Sequence, residues 1–372
     1  MVQFTGLMDT LPETVPFVGP EALERTRGRP FKARIGANEN VFGPSTKAIE
    51  AMQKTVSEGW QYGDPENHDL RHAIADFYHI KPSNVMVGEG IDGLLGYLVR
   101  MVVEPGKRVV TSLGAYPTFN YHVVGYGGDL ITVPYVNDRE DLQSLVEMAH
   151  KVKPSLVYLA NPDNPMGTWS SGQEIAVMLD ELPKGTLLVL DEAYIEFAPS
   201  EAALTLDVDD PRVVRFRTFS KAYGMAGMRV GYALGEERMI SAFNRVRNHF
   251  GMCRVSQAGA FTSLHDQKNL VQVIKMVGEA RDRIADIAMK NGLHSLPSGA
   301  NFVAIDAGRD GDFARILLSE LVNRDIFVRM PLAVPQDRCV RISAGTTTDL
   351  DYLEEAFPRA LEMSNQIYSE KN

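Results

Sequence analysis

RFRTFSKAYGMAGMRVGYALG, residues Arg215 to Gly235, opens as a strand and closes as one. Polar and apolar residues alternate at its start, Arg215-Phe216-Arg217, and a Thr-Phe-Ser triplet and Lys221 follow at the strand's end, before a turn rich in Gly and Met. Arg229 leads into the second strand-like run, MRVGYALG. A lysine held at a strand end suits imine chemistry, because its amine can condense with a carbonyl. The hydroxyls of Thr218 and Ser220 and the guanidinium of Arg229 can hold an anion nearby. A solvated surface lysine is the ordinary alternative. Anion-binding partners crowded into so short a span weigh against it.

Outward from this stretch the chain alternates between strand and helix. Apolar, β-branched runs fall at Asn84–Val87, Arg108–Ser112, Asp129–Tyr135, Ser155–Ala160, Thr186–Asp191, Val213–Phe219 and Met228–Leu234. Helical periodicity separates most of them, at Glu66–Tyr78, Gly93–Val103, Asp138–Val152 and Gly172–Leu182. Continuous apolar strands with helices between them predict an α/β fold, a mostly parallel, doubly wound sheet covered on both faces. Ligands of such a sheet bind at the carboxyl ends of its strands. Beyond Phe250 a long helical stretch, Ser256–Asn291, leads into shorter strands at Asn301–Asp306, Asp325–Arg329 and Arg338–Ser343. A helix pair within 312–324 and a last helix, Asp349–Ile367, follow. This second, smaller α/β unit is expected to draw on both chain ends. The division is 46–250 for the large domain and 31–45 with 251–372 for the small one. Residues 1–30, rich in Pro and Gly, read as an arm or lid.

Composition narrows the functional classes. A chain of 372 residues with 44% hydrophobic content buries a large core. Its net charge of −10 lacks the basic stripe of a nucleic-acid binder. The longest apolar run, Leu94 to Val103, is broken by Arg100 and falls short of a membrane span. No basic segment precedes an apolar one at the N-terminus, and Cys253 and Cys339 fit no metal spacing. A cytoplasmic protein with reduced thiols is the expectation.

Several strand ends carry chemistry-bearing residues. Gly88, Gly90 and Gly93 match G-x-G-x-x-G between a strand and a helix, the pattern of a dinucleotide site. That fingerprint requires a carboxylate at the end of the next strand, yet RVVTS ends in Ser112 and Leu113. The nicotinamide reading fails on this point. What survives is one phosphate cradled by the N–H groups of Ile91, Asp92 and Gly93. Asp191 ends the apolar strand of LLVLDEAY, beside Glu192 and before Tyr194. A helix cap or turn is its plainer role. Asn161 and Asn164 sit in ANPDNPMG, stiffened by Pro162 and Pro165, as a turn or a ligand clamp. Phe119, in AYPTFNY, is a core aromatic or a platform for a flat ring. Arg341 in CVRISAG and Arg329 in IFVRMP lie in short apolar strands, where a buried arginine needs an anion. On a half-exposed strand each would be a surface arginine. His68 and His72, four apart, have no third ligand, so no metal site is expected.

Together ANENVFGPS, QYGDPE, LANPDNPMG, VLDEAY and TFSKAYGMAGMRVGY resemble, in content and order, the fold-type I pyridoxal-phosphate aminotransferases of class I/II. The likeness is greatest to the histidinol-phosphate aminotransferase family and runs from about Asn38 to Arg341. It implies a seven-stranded sheet and pyridoxal 5'-phosphate as cofactor, carried as an aldimine by Lys221. It further implies that Lys221 moves the proton in catalysis and that Asp191 keeps the pyridine nitrogen protonated. Asn164 and Tyr194 would bond the ring oxygen and Phe119 would stack on the ring. Thr218, Ser220, Arg229 and the amides of Ile91, Asp92 and Gly93 would hold the phosphate. Tyr62 would reach the phosphate of the other subunit's cofactor, making a homodimer with shared sites. Arg341 would pair with the substrate carboxylate, with Arg329, Phe17 and Asn38 as further substrate contacts.

Departures from the family pattern lie on the substrate side. Phe17 stands where a lid tyrosine is usual, Gly93 replaces an acidic residue, Met166 a threonine, and Val41-Phe42 a Pro-Tyr pair. The expected activity is amino transfer from histidinol phosphate to 2-oxoglutarate by a ping-pong cycle. Aromatic amino acids are the second choice of donor, and a carbon–sulfur lyase or decarboxylase on the same scaffold the third. An NAD-dependent dehydrogenase lacks its ribose-binding acid. A catalytically idle binding protein would not need this lysine, carboxylate and arginine together.

Overall fold

A computed structural model describes residues 2–11, 18–205 and 207–371. Its strands are β1 (Ala33–Arg34), β2 (Val85–Gly88), β3 (Arg108–Ser112), β4 (Asp129–Val133), β5 (Leu156–Ala160) and β6 (Leu187–Asp191). They continue with β7 (Val213–Thr218), β8 (Gly231–Leu234), β9 (His294–Ser295), β10 (Phe302–Asp306), β11 (Ile326–Phe327) and β12 (Cys339–Ser343). The main sheet has seven strands in the order β2-β8-β7-β6-β5-β3-β4, the doubly wound α/β arrangement expected. It is parallel except at β8, which runs antiparallel to β2 and β7. A parallel return needs a long crossover, usually helical. The 219–230 segment between β7 and β8 is a turn with one short 3-10 helix, so the chain reverses and Lys221 is left at the carboxyl edge.

Alternation along the strands sorts the core into two layers. Val109, Leu156, Tyr158, Val189, Val214 and Phe216 pack with Leu94, Leu98 and Val99 of helix Gly90–Val102 on one face. Val110, Val157, Leu159, Leu188 and Leu190 pack with Leu145 and Ala149 of Leu142–Val152 and Ile175 and Met178 of Gly172–Glu181 on the other. Each fully buried leucine or valine contributes roughly 1.5–3 kcal/mol. Helix Gly172–Glu181 starts on a capping box of Ser171 and Glu174.

A second sheet, β12-β10-β9, is antiparallel. β1 pairs in parallel with β11, setting Ala33 opposite Ile326 and tying the early chain to the late chain. Arg27 and Arg29 both pair with Asp325 at the same junction.

Some elements differ from the sequence expectation. The arm holds a helix, Pro20–Arg27, begun by a proline at its first position and ended by Gly28 in the left-handed region (φ 71°). Helices Thr46–Thr55 and Pro117–Gly125 are additional, the second begun by a proline at its first position. The 256–291 stretch is two helices, Arg254–His265 and Gln267–Lys290, separated at Asp266. One helix, Gly311–Asn323, replaces the expected pair. The last helix runs on to Lys371 with Pro358 inside it. Arg329 lies just past β11 and bridges Arg341 through the backbone.

Candidate active site

The carboxyl ends of β5, β6 and β7 bring Asn164, Asp191, Tyr194, Thr218 and Lys221 to one edge. Lys221 Nζ donates to the backbone carbonyl of Asn38 at 3.0 Å and lies 5.4 Å from the centre of the Tyr194 ring. The Tyr194 hydroxyl accepts from Asn38 Nδ2 at 3.2 Å and from Asn164 Nδ2 at 3.4 Å. Arg341 Nη1 donates to Asn164 Oδ1 at 2.6 Å. The expected lysine, tyrosine, asparagines and carboxylate-binding arginine thus form one connected set.

Asp191 is buried at the end of β6. Its Oδ2 accepts from the Tyr158 hydroxyl at 2.8 Å and its Oδ1 from the Ala193 amide at 3.0 Å. Burial pushes its carboxyl up to about 6, because the charged form loses water; those hydrogen bonds oppose the shift. A cation beside Asp191 would restore the carboxylate. Tyr158, which sequence reading did not single out, matters here. Its hydroxyl favours the charged form, so in the cofactor-free chain Tyr158→Phe should raise the ionisation of Asp191 by about one unit, read from the pH profile of thermal unfolding. A profile that stays in place would show that Asp191 does not depend on it.

Phe119 is fully buried and stacks on Tyr158, with ring centres 4.4 Å apart at 16°. The residues expected to hold a phosphate lie at the start of helix Gly90–Val102. Ile91, Asp92 and Gly93 fall in its first turn, where the N–H groups of Ile91 and Asp92 have no partner within the helix, while that of Gly93 lies in line with the N-cap carbonyl of Glu89. Gly90 sits in the left-handed region (φ 77°), which strains any residue with a Cβ, and a Cβ there would also push on the Arg229 guanidinium. Arg229 faces this turn from the β7–β8 connection, Nη1 donating to Ala226 O at 3.0 Å and reaching Ser220 Oγ at 3.5 Å. The Thr218 hydroxyl accepts from the Ser220 amide at 2.9 Å. A glycine cradle, a helix N-terminus and a half-exposed guanidinium fit a phosphate.

Arg341 is buried, and loss of water draws its guanidinium down to about 10. Its Nε has no hydrogen-bond partner among the described residues. A buried donor left open in this way suits an incoming carboxylate. Arg329 donates to Val18 O at 2.9 Å. Phe17 lies outside the described residues. Asn38, expected as a substrate contact, is buried with its amide on Tyr194 and its Oδ1 taking the Ser343 hydroxyl at 3.1 Å. Tyr62 is 77% exposed, its ring centre 4.9 Å from that of the exposed Phe250. His68 and His72 stack on one another, and no cluster of metal-ligating residues occurs among the described residues.

The family model for aminotransferase class I and II matches residues 32–357. The chain belongs to the class I and II aminotransferases. Its pyridoxal-phosphate-dependent, aminotransferase character therefore stands as expected from the motifs. Among curated relatives, a histidinol-phosphate aminotransferase of Anaeromyxobacter sp. (strain Fw109-5) is 35% identical over 93% of this chain and 96% of its own. One from Staphylococcus epidermidis (strain ATCC 12228 / FDA PCI 1200) is 32% identical over 88% and 95%. The crystal structure of histidinol-phosphate aminotransferase from Sinorhizobium meliloti in complex with pyridoxal-5'-phosphate superposes with a TM-score of 0.95. It is 49% identical and covers 98% of both chains. Of the described helices, none is long and apolar enough to cross a membrane.

This aminotransferase also holds a buried ionic network that sequence reading missed. Glu192 accepts from Arg215 Nη2 at 2.6 Å and from Arg217 Nε at 2.9 Å. Arg217 goes on to the Tyr78 hydroxyl at 2.8 Å, itself 2.8 Å from that of Tyr232. The two arginines keep the Glu192 carboxylate below its usual range despite complete burial. Arg215 and Arg217, two apart on β7, share the face away from Thr218. They lock the β6 end that carries Asp191 to the β7 end that leads to Lys221. The clue in the sequence was two arginines at strand spacing inside an apolar run.

Proposed function

We propose that this aminotransferase takes histidinol phosphate as amino donor and 2-oxoglutarate as acceptor, by a ping-pong cycle. The observation that carries this reading is a pair of arginines on either side of one backbone bridge, Arg341 and Arg329. Arg341 opens onto Asn164 and Tyr194 and would take the substrate carboxylate or its equivalent polar end. Arg329, nearer the arm, would take a second anion, the phosphate of the donor. The names of the relatives point the same way.

Pyridoxal phosphate, when bound, supplies an electron sink for the charge that develops at the substrate's reacting carbon. The chain's own groups do the rest. Lys221 would carry the cofactor covalently and move a proton to and from that carbon as general acid and base. Asp191 would hold a proton on the ring nitrogen by charge. Asn164 and Tyr194 would bond the ring oxygen and Phe119 would flank the ring. The amides of Ile91, Asp92 and Gly93, with Thr218, Ser220 and Arg229, would grip the phosphate.

The functional unit in this reading is a cytoplasmic homodimer, with Tyr62 serving the site of the other copy. The exposure of Trp60 (83%) and Tyr62 (77%) supports a face that a second subunit covers. Residues 46–250 form its large domain, 31–45 with 251–372 its small domain, and 1–30 its arm. Aromatic donors are the second reading, favoured by Val41-Phe42 and Met166 where the family pattern has a Pro-Tyr pair and a threonine.

A half-reaction panel separates the two. Loss of the cofactor's violet absorbance is followed with histidinol phosphate, phenylalanine, tyrosine and histidine. Histidinol phosphate is expected to react fastest. Arg329→Ala should cost it about 1.5–3 kcal/mol of transition-state binding, tenfold or more in kcat/KM, and leave phenylalanine little changed. Equal or faster reaction with phenylalanine would replace the donor.

A further inference from the structure

The site holds one buried amide whose presence the expected chemistry does not explain. Asn301 sits just before β10, fully buried, with its backbone carbonyl fixed by the Ala344 amide at 2.8 Å. Its Nδ2 donates to two successive carbonyls, Asn38 O at 3.1 Å and Glu39 O at 3.3 Å. Its Oδ1 has no partner among the described residues. A buried acceptor left open costs about 1–3 kcal/mol, so an asparagine here is kept against a penalty. The stretch it holds turns at Asn38, a non-glycine residue in the left-handed region at φ 55°, which asparagine adopts more readily than most side chains. Asn40 fixes the other side of this stretch by donating to Lys221 O at 2.9 Å and Ala222 O at 3.2 Å. What the buried amide and the left-handed turn achieve together is the aim of one carbonyl, Asn38 O, at Lys221 Nζ, 3.0 Å away.

We propose that Asn301 is a positioning residue for Lys221, acting through the Asn38 carbonyl as the fixed resting place of the lysine amine whenever it is not joined to the cofactor. The inference rests on the reading of Lys221 as the cofactor-joining residue. A long flexible side chain released in each half of the cycle must be returned to one spot to act on the next. Lysine carries about 2 kcal/mol of rotamer entropy, and a single well-aimed acceptor removes the search. The carbonyl has two lone pairs, one for Asn301 and one for Lys221, so the two donors do not compete. Tyr194, bonded to the Asn38 side chain, is registered to the same stretch.

The test measures capture of pyridoxal 5'-phosphate by the cofactor-free chain, read as the rate of appearance of borohydride-reducible absorbance. In parallel, the affinity for pyridoxine 5'-phosphate is measured; it has the same phosphate and ring but no aldehyde for Lys221 to join. For Asn301→Ala, capture is expected to slow about tenfold, equivalent to ~1.4 kcal/mol, with pyridoxine 5'-phosphate affinity within about twofold. Asn301→Ser, which keeps one donor, should fall between. Capture as fast as wild type in a folded variant overturns the proposal. So does a parallel loss of pyridoxine 5'-phosphate affinity, which would make Asn301 a general prop of the site. If Asn301→Ala does not fold, Asn301→Ser carries the same two readouts. A crystal structure of the wild-type cofactor-free chain with Nζ away from Asn38 O also overturns it. A wild-type chain that captures no cofactor at all would instead strike the reading of Lys221 itself.

Discussion

Replacing Lys221 with alanine should leave a folded chain that turns over at least ~10³-fold more slowly, since positioned general acid–base catalysis alone is worth about 10²–10⁴. The side chain makes one hydrogen bond, to Asn38 O, and is only half-buried, so the fold loses little. Its chemistry has no substitute nearby. The neighbouring Tyr194 hydroxyl is engaged by Asn38 and Asn164, and Arg341 is committed to Asn164. Among the described residues, no other lysine amine is hydrogen-bonded to that network. The phosphate end, at Arg229 and helix Gly90–Val102, is separate from the lysine, so cofactor affinity should fall far less than turnover. The measurement is a single-turnover half-reaction together with equilibrium cofactor binding and thermal unfolding. Borohydride should fix no cofactor to the variant. Turnover within tenfold of wild type would place the reacting amine elsewhere.

The sheet was legible because its strands are continuous apolar runs, such as LVYLA and LLVLD, with helices of clear periodicity between them. Strand ends differ by one to three residues where polar residues such as Thr186 lie against the core without joining the ladder. The helix at Pro117 begins on its own proline, a residue that starts a helix as readily as it breaks one. Asp266 divides a 36-residue periodic stretch because the apolar stripe continues across a one-residue interruption. In the site, Lys221, Asp191 and Asn164 were legible as chemistry-bearing types just at or past strand ends, and Arg341 as an arginine within a short apolar strand. Tyr158, Asn301 and the Arg215–Glu192–Arg217 network were not. Each acts through a contact between residues distant in sequence, and Tyr158 and Asn301 belong to residue types that more often serve the core or a turn. What decides their role is the register of β5 against β6 and the meeting of the two chain ends, neither of which is written locally.

Asp191→Asn should separate stability from activity. The carboxyl of the cofactor-free chain is raised to about 6 by burial, against about 3.9 in the unfolded chain. The folded state therefore keeps a proton that the unfolded state has released. The stability this provides is present below about pH 4 and is lost as pH rises through about 6. Above that, the folded chain carries a buried charge with only the Tyr158 hydroxyl and the Ala193 amide to satisfy it. Asparagine carries no charge, so the cofactor-free variant should be more stable at neutral pH by about 2–3 kcal/mol, and its unfolding should lose one proton's worth of pH dependence between pH 4 and 6. The asparagine cannot hold a proton on a pyridine nitrogen by charge. A neighbouring anion shifts a cation's ionisation by about 1–3 units, so turnover should fall by roughly 10- to 1000-fold while the phosphate grip keeps the cofactor bound. Thermal unfolding of cofactor-free chains across pH, with single-turnover rates of the loaded ones, checks both halves. Near-normal turnover would remove Asp191 from the chemistry, and an unchanged stability profile would mean that its charge is compensated within the protein before any cofactor arrives.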